Sequence, residues 1–156
     1  MPSDTLKTLY HTLVIPHISY GIEAWYGAPQ CARNRVFVLQ KKAIRAINSL
    51  PYNFHTHDFF KSTELLKLDD IYDLKIATHM YNKCSNRNFS THADIHIHNT
   101  RNRDNIVIPR CHMSKTQLYW LYRGTQLWNS IPVRIRDSEC LKKFKNLYKN
   151  HLFSAY

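Results

Sequence analysis

Three groups of side chains in this sequence are of types that could do chemistry. The first is Asp69-Asp70, in "KLDDIYD". Two adjacent carboxylates at a strand turn can hold a pair of metal ions over a phosphate, which is what phosphoryl transfer requires. The flanks here read as a helix start instead of a strand hairpin. Asp69 is expected to cap that helix, with Asp70 and Asp73 near the positive end of its dipole.

The second group is the histidines of "THADIHIHNTR". His92 and His96 are four apart and could share a helix face, with His98, Cys84 or Cys111 completing a tetrahedral zinc shell. A zinc-dependent nuclease is the activity such a site would imply. The stretch lacks helical periodicity, however, and histidine occurs ten times in the chain. No metal and no cofactor is therefore expected. Nor does any spacing mark a cysteine–histidine nucleophile pair, whose members meet in space and not in sequence.

The third group is the most informative: cations interleaved with aromatics. Arg101 and Arg103 lie in one polar stretch, and Arg110, Lys115 and Arg123 flank Tyr119, Trp120 and Tyr122. Arg134 and Arg136 follow Trp128, and Lys142, Lys143, Lys145 and Lys149 line the final segment. Lysine and arginine neutralise phosphates and release counterions, while aromatic faces can stack on unpaired bases. The competing explanation is a helical core of aromatics with a solvated rim of cations. It is favoured for Tyr119, Leu127 and Trp128, and nucleic-acid contact is the expectation for the cations.

The bulk composition agrees with that emphasis. The net charge is +11 over 156 residues, which points to a polyanionic partner or surroundings. It is uneven: residues 1–78 hold 9 Lys/Arg against 7 Asp/Glu, and residues 79–156 hold 13 against 4. A 44% hydrophobic and 13% aromatic content is enough for a core, which argues against wholesale disorder. Three glycines argue against phosphate loops, dinucleotide fingerprints and a turn-rich β fold. The four cysteines are scattered, no apolar run is long enough to span a membrane, and "MPSDTLKTLY" does not read as a secretion signal. The expectation is an intracellular protein with free thiols, in the nucleus or cytoplasm, neither secreted nor membrane-bound.

The elements that must position these groups follow from apolar spacing. Leu6, Leu9, Tyr10, Leu13 and Val14 predict a first helix that Pro16 ends or kinks. "HISYGIEAWYGA" predicts a second apolar helical segment, with Tyr20, Trp25 and Tyr26 in a core or interface. In "ARNRVFVLQKKAIRAINSL" the stripe is Val36, Leu39, Ala43, Ile44 and Ile47, with Arg33, Arg35, Lys41, Lys42 and Arg45 around it. A short helix runs from His57 through Leu66, and an amphipathic one covers "LDDIYDLKIATHMYNKC". Residues 85–115 read as an irregular excursion with one short strand at "NIVI". A helix follows from about Thr116 to Asn129, and a last one after Ser138 buries Leu141, Phe144, Leu147 and Tyr148. In "GTQLWNSIPVRIRD", Gly124 should allow close packing, and Leu127 and Trp128 should form the last buried turn. Arg134 and Arg136, if extended, would point to one side and grip successive phosphates.

The order of short patterns also resembles a known family. "LYHTLVIPHISYGIEAWYGA", "LQKKAIRAI", "ELLKLDDIYDLKIATHMYNK", "HNTRNRDNIVIP", "GTQLWNSIP" and "LKKFKNLYKNHL" follow one another. This resembles the C-terminal region, downstream of the catalytic palm, of jockey-like non-LTR retrotransposon reverse transcriptases. The resemblance covers essentially the whole chain. It implies a thumb and post-thumb role: helices that support primer and template beside a palm. The palm, with its Tyr-x-Asp-Asp motif, the fingers and an endonuclease have no counterpart here, so no catalytic residue transfers.

Taken together, the sequence predicts a mainly α, basic, single domain: a helical thumb-like part (1–84), an irregular basic segment (85–115) and C-terminal helices (116–156). The expected function is that of a non-catalytic reverse-transcriptase fragment that buttresses the missing palm and fingers and contacts RNA or DNA. The alternative is a basic protein-interaction or scaffold domain with no nucleic-acid role.

Overall fold

The computed structural model describes residues 3–85, 89–98, 100–113 and 120–156. It is mainly helical, and its only β pairing among the described residues is an isolated antiparallel bridge between Thr91 and Ile106. No helix among those residues is long and apolar enough to cross a membrane. The chain divides into two compact units, Met1–Tyr72 with Asn150–Tyr156, and Asp73–Lys149.

In the first unit, α1 (Ser3–Leu9) runs through a π-helical turn, Tyr10–Val14, into α2 (Ile15–Ser19). Pro16 was expected to end or kink this helix. Instead the chain stays helical, because the π turn absorbs the missing amide: the Ile15 N–H reaches back five residues to the Tyr10 carbonyl. Gly21, at φ 58°, makes the left-handed step into α3 (Ile22–Trp25). Of the three aromatics expected inside, Tyr26 is buried and Trp25 half-buried, while Tyr20 is 85% exposed.

Helix α4 (Gln30–Ile47) carries most of this unit's core. Tyr10, Ile44, Ile47, Phe60 and Leu65 form its centre, with Phe37, Ala43 and Tyr156 packed against it. The buried stripe therefore passes through Phe37, Gln40, Ile44 and Ile47, and Leu39 is 63% exposed. The reason is a polar residue in an apolar position. The Gln40 amide donates to the Tyr10 hydroxyl and to the Leu66 carbonyl, both at 2.8 Å, which lets it enter the core. Burial in turn pushes the Tyr10 hydroxyl above its usual pKa, partly offset by the bond from Gln40. Helix α5 is shorter than expected, His57–Ser62. The chain then takes a left-handed step at Glu64 (φ 56°), and Leu65 and Leu66 are buried outside any helix.

Helix α6 (Leu68–Ser85) gives its first residues to this unit and the remainder to the second. Asp69 lies inside its first turn and is not the cap. It accepts a 2.5 Å hydrogen bond from the Tyr26 hydroxyl, whose ring stacks on Tyr72 at 3.8 Å. Asp70 accepts from the Tyr156 hydroxyl, which itself accepts the Lys67 N–H at 2.9 Å. Both carboxylates serve as acceptors for tyrosines, a role sequence spacing could not display.

In the second unit, Ile76, Ala77 and Met80 of α6 are fully buried. Helix α7 (His92–Ile95) is a single turn that periodicity did not foresee. It is held by the Asp94 carboxylate, which accepts from the Thr91 N–H at 2.7 Å and the Thr91 hydroxyl at 2.9 Å. Both bonds favour the ionised form and hold Asp94 below the usual carboxylate range. "NIVI" forms no strand: Ile106 makes only the bridge to Thr91. The expected helix from Thr116 appears as α8, described from Trp120 to Ser130; residues 116–119 lie outside the described part. Its Gly124 does permit close packing, since an added Cβ would lie 3.0 Å from the Met80 Sδ and 3.3 Å from Ile76. Two helices complete the unit, α9 (Val133–Arg136) and α10 (Leu141–Ser154).

Candidate nucleic-acid interface

The second unit holds 14 Lys/Arg against 5 Asp/Glu, a net +9, and the first 8 against 6, a net +2. What fixes its surface is an aromatic cluster and a side-chain clamp. Trp128 and Phe144 approach to 5.8 Å between ring centres, Tyr81 and Phe144 to 4.7 Å, and Phe144 and Tyr148 to 5.9 Å. The Tyr81 hydroxyl donates to the Ser138 carbonyl at 2.6 Å, which pins the chain just ahead of α10. Trp128 is buried, as expected, and Leu127 half-buried. Trp120 and Tyr122 are half-buried, and Tyr119 lies outside the described residues. The rings of this unit are thus largely committed to packing. Among the described residues, strongly exposed aromatic rings are found in the first unit, at Tyr20 and Tyr52.

The cations are arranged differently. Arg101 and Arg103 are exposed on a turn over residues 101–104, whose backbone is tied to α7 by the Ala93 N–H donating to the Arg103 carbonyl at 2.9 Å. Arg110 is exposed, and Lys115 lies outside the described residues. Arg123 lies 3.8 Å from Asp73. On α10, Lys142, Lys145 and Lys149 recur at helical spacing on a face beside that of buried Phe144 and Tyr148. Lys142 and Lys145 are exposed, and Lys149 is half-buried. Lys143 is exposed too and lies 3.3 Å from Glu139. Among the described residues, Lys142, Lys145, Arg101, Arg103, Arg110 and Arg134 have no acid within ion-pair distance.

Arg134 and Arg136 correct an expectation. They are not extended but belong to α9, where a separation of two residues turns the side chains to opposite sides. Proline explains the change: Pro132 supplies a preset φ of −55° just before the first helical position. Arg134 is exposed. Arg136 is half-buried and lines a cleft of about 470 Å³ with Tyr81, Cys84, Trp128, Asp104 and Asp137.

The histidines do not assemble. His92 lies in α7, but His96 follows its end in extended backbone (φ −127°, ψ 132°), so the shared helix face is not formed. His98 is exposed on the turn beyond. Among the described residues no three His, Cys, Asp or Glu side chains are grouped to hold a metal ion. Cys31, Cys84 and Cys140 are free thiols.

One positioning residue escaped the sequence reading. The Asn129 side chain accepts the Ile106 N–H at 3.0 Å and donates to the Ile106 carbonyl at 2.9 Å. It thereby satisfies both polar groups of a buried residue and anchors the basic turn. The only sequence signal was an amide residue at the expected helix end. Compared with known proteins, the chain matches no family model, no curated protein and no solved structure.

Proposed function

We propose that the chain is the thumb and post-thumb region of a jockey-like non-LTR reverse transcriptase, without a catalytic centre of its own. Its second unit contacts the RNA or DNA backbone. The observation that carries the contact is the outward display, on one unit, of cations with no acid partner among the described residues: Lys142 and Lys145 on α10, with Arg101 and Arg103 on the clamped turn. Such charges bind phosphates by counterion release. Because the neighbouring rings are packed away, the contact is with the backbone and not with base identity. The ordered patterns across the whole chain support the family reading. So does a mainly helical fold.

Binding to RNA, DNA and hybrid duplex, followed by fluorescence anisotropy against salt, tests the contact. Affinity should fall steeply with salt, and Lys142→Gln and Lys145→Gln should each lower the logarithmic slope by about 0.9. Binding no tighter than that of a charge-matched control at physiological salt would refute it. Salt-insensitive capture of an acidic protein, with no nucleic-acid shift, would favour the scaffold alternative. The family reading is tested by the upstream reading frame, which should encode a palm with its Asp-Asp motif.

A further inference from the structure

The cleft lined by Arg136 has features that the backbone contacts do not use. A guanidinium carries five N–H donors. That of Arg136 makes one long hydrogen bond, from Nη1 to Asn105 Oδ1 at 3.4 Å, and its Nε is buried without an acceptor. Asp104 and Asp137 line the same cleft, yet neither comes within ion-pair distance of it. With Nε occluded, the terminal Nη groups still keep donors without an acceptor among the described residues, and a guanidinium N–H binds an oxyanion through a charge-assisted hydrogen bond. Its volume, about 470 Å³, falls in the range of small-molecule sites.

We propose that this cleft binds a phosphate monoester of nucleotide size, its oxyanion taken by Arg136 and its hydroxyl or amino groups by Asp104 and Asp137. The two carboxylates are exposed. They accept hydrogen bonds and repel further negative charge, so one phosphate is favoured over a polyphosphate. Tyr81 and Trp128 supply the apolar wall. The monoester could come from a free nucleotide or from the phosphorylated end of a strand. The site does not depend on α10 meeting nucleic acid.

Cys84 reports on occupancy without a mutation. Its thiol lines the cleft, and burial pushes it up to about 11, with the positive charge of Arg136 pulling the other way. A phosphate on Arg136 would cover the thiol and cancel that pull. Alkylation by iodoacetamide, followed by mass spectrometry, should therefore slow at Cys84 as AMP is added. Exposed Cys31 and Cys140 should react unchanged. Arg136→Gln should weaken the AMP effect by about tenfold or more, as expected for losing a charge-assisted hydrogen bond, whereas Arg134→Gln should retain it. Protection by a 5′-phosphorylated oligonucleotide, but not by its unphosphorylated counterpart, would assign the source to strand ends. Protection by AMP alone would assign it to free nucleotide. Absence of saturable protection of Cys84 by AMP in the wild-type protein overturns the proposal, as does equal protection by adenosine.

Discussion

The two units use polar side chains in opposite ways. In the first, they are turned inward on one another: Gln40 on Tyr10, Tyr26 on Asp69, Tyr156 on Asp70. Three of its cations are drawn onto rings, Arg33 over Tyr26 at 4.6 Å, Lys41 over Phe37 at 4.4 Å and Lys67 over Tyr156 at 3.7 Å. In the second, rings pack on rings, and the cations of α10 and the 101–104 turn face solvent. The contrast separates two uses of a basic composition. Charge that is spent on internal contacts supports a fold, and charge on the outer side of an apolar cluster is left in solvent.

The sharpest way to break this contrast is to remove the ring cluster. Trp128→Ala should cost about 3–5 kcal/mol, read from urea unfolding, if the buried ring holds the second unit together. Near-wild-type stability would show that the cluster is dispensable. Next, Asn129→Ala leaves the Ile106 N–H and carbonyl without their partner and should cost about 1–3 kcal/mol. Faster amide exchange at Ile106 should accompany it, and unchanged exchange would remove the clamp from the account.

Two smaller effects probe the first unit. Burial raises the Asp70 carboxyl above its usual pKa, offset in part by the Tyr156 hydroxyl and Lys67. A raised carboxyl favours folding below its unfolded pKa, and that contribution is lost as pH rises through the folded value. Burial and the Asp70 bond likewise push the Tyr156 hydroxyl up, so its contribution is lost only at strongly alkaline pH. Tyr156→Phe removes the bond that eases Asp70 ionisation. It should cost about 1 kcal/mol near neutrality and less in acid, where Asp70 is protonated. A loss independent of pH would sever the link between the two residues. Smallest of all, Ser49, at φ 52° after α4, occupies a position suited to glycine. Ser49→Gly should stabilise by up to about 1 kcal/mol in thermal melts.

How far these contrasts could be read in advance depended on range. The long helices were legible because apolar spacing is local, and α10 buries Phe144 and Tyr148 as its pattern requires. Charge asymmetry was legible for the same reason. Leu39 and Gln40 exchanged expected roles because the acceptors for Gln40 are Tyr10 and Leu66, 30 and 26 residues away. The partners of Asp69 and Asp70 are 43 and 86 residues distant. One-turn helices α7 and α9 are too short for periodicity to register, so the opposed directions of Arg134 and Arg136 were invisible. The Arg136 cleft joins four separate stretches of chain, and only folding brings them together.

The π turn at Tyr10–Val14 also has a bearing on how this chain tolerates length changes. A π turn is an α-helix with one residue too many, held in place by hydrogen bonds that skip a position. Deleting a single residue there would restore ordinary pairing, and because the turn winds by less per residue than an α-helix, the residues upstream would keep close to their present phase. Leu6 would stay against the cluster it packs on. The segment therefore works as a phase adjuster, and a one-residue deletion within it should be better tolerated than the same deletion inside α4, which would turn one side of that helix by about 100°.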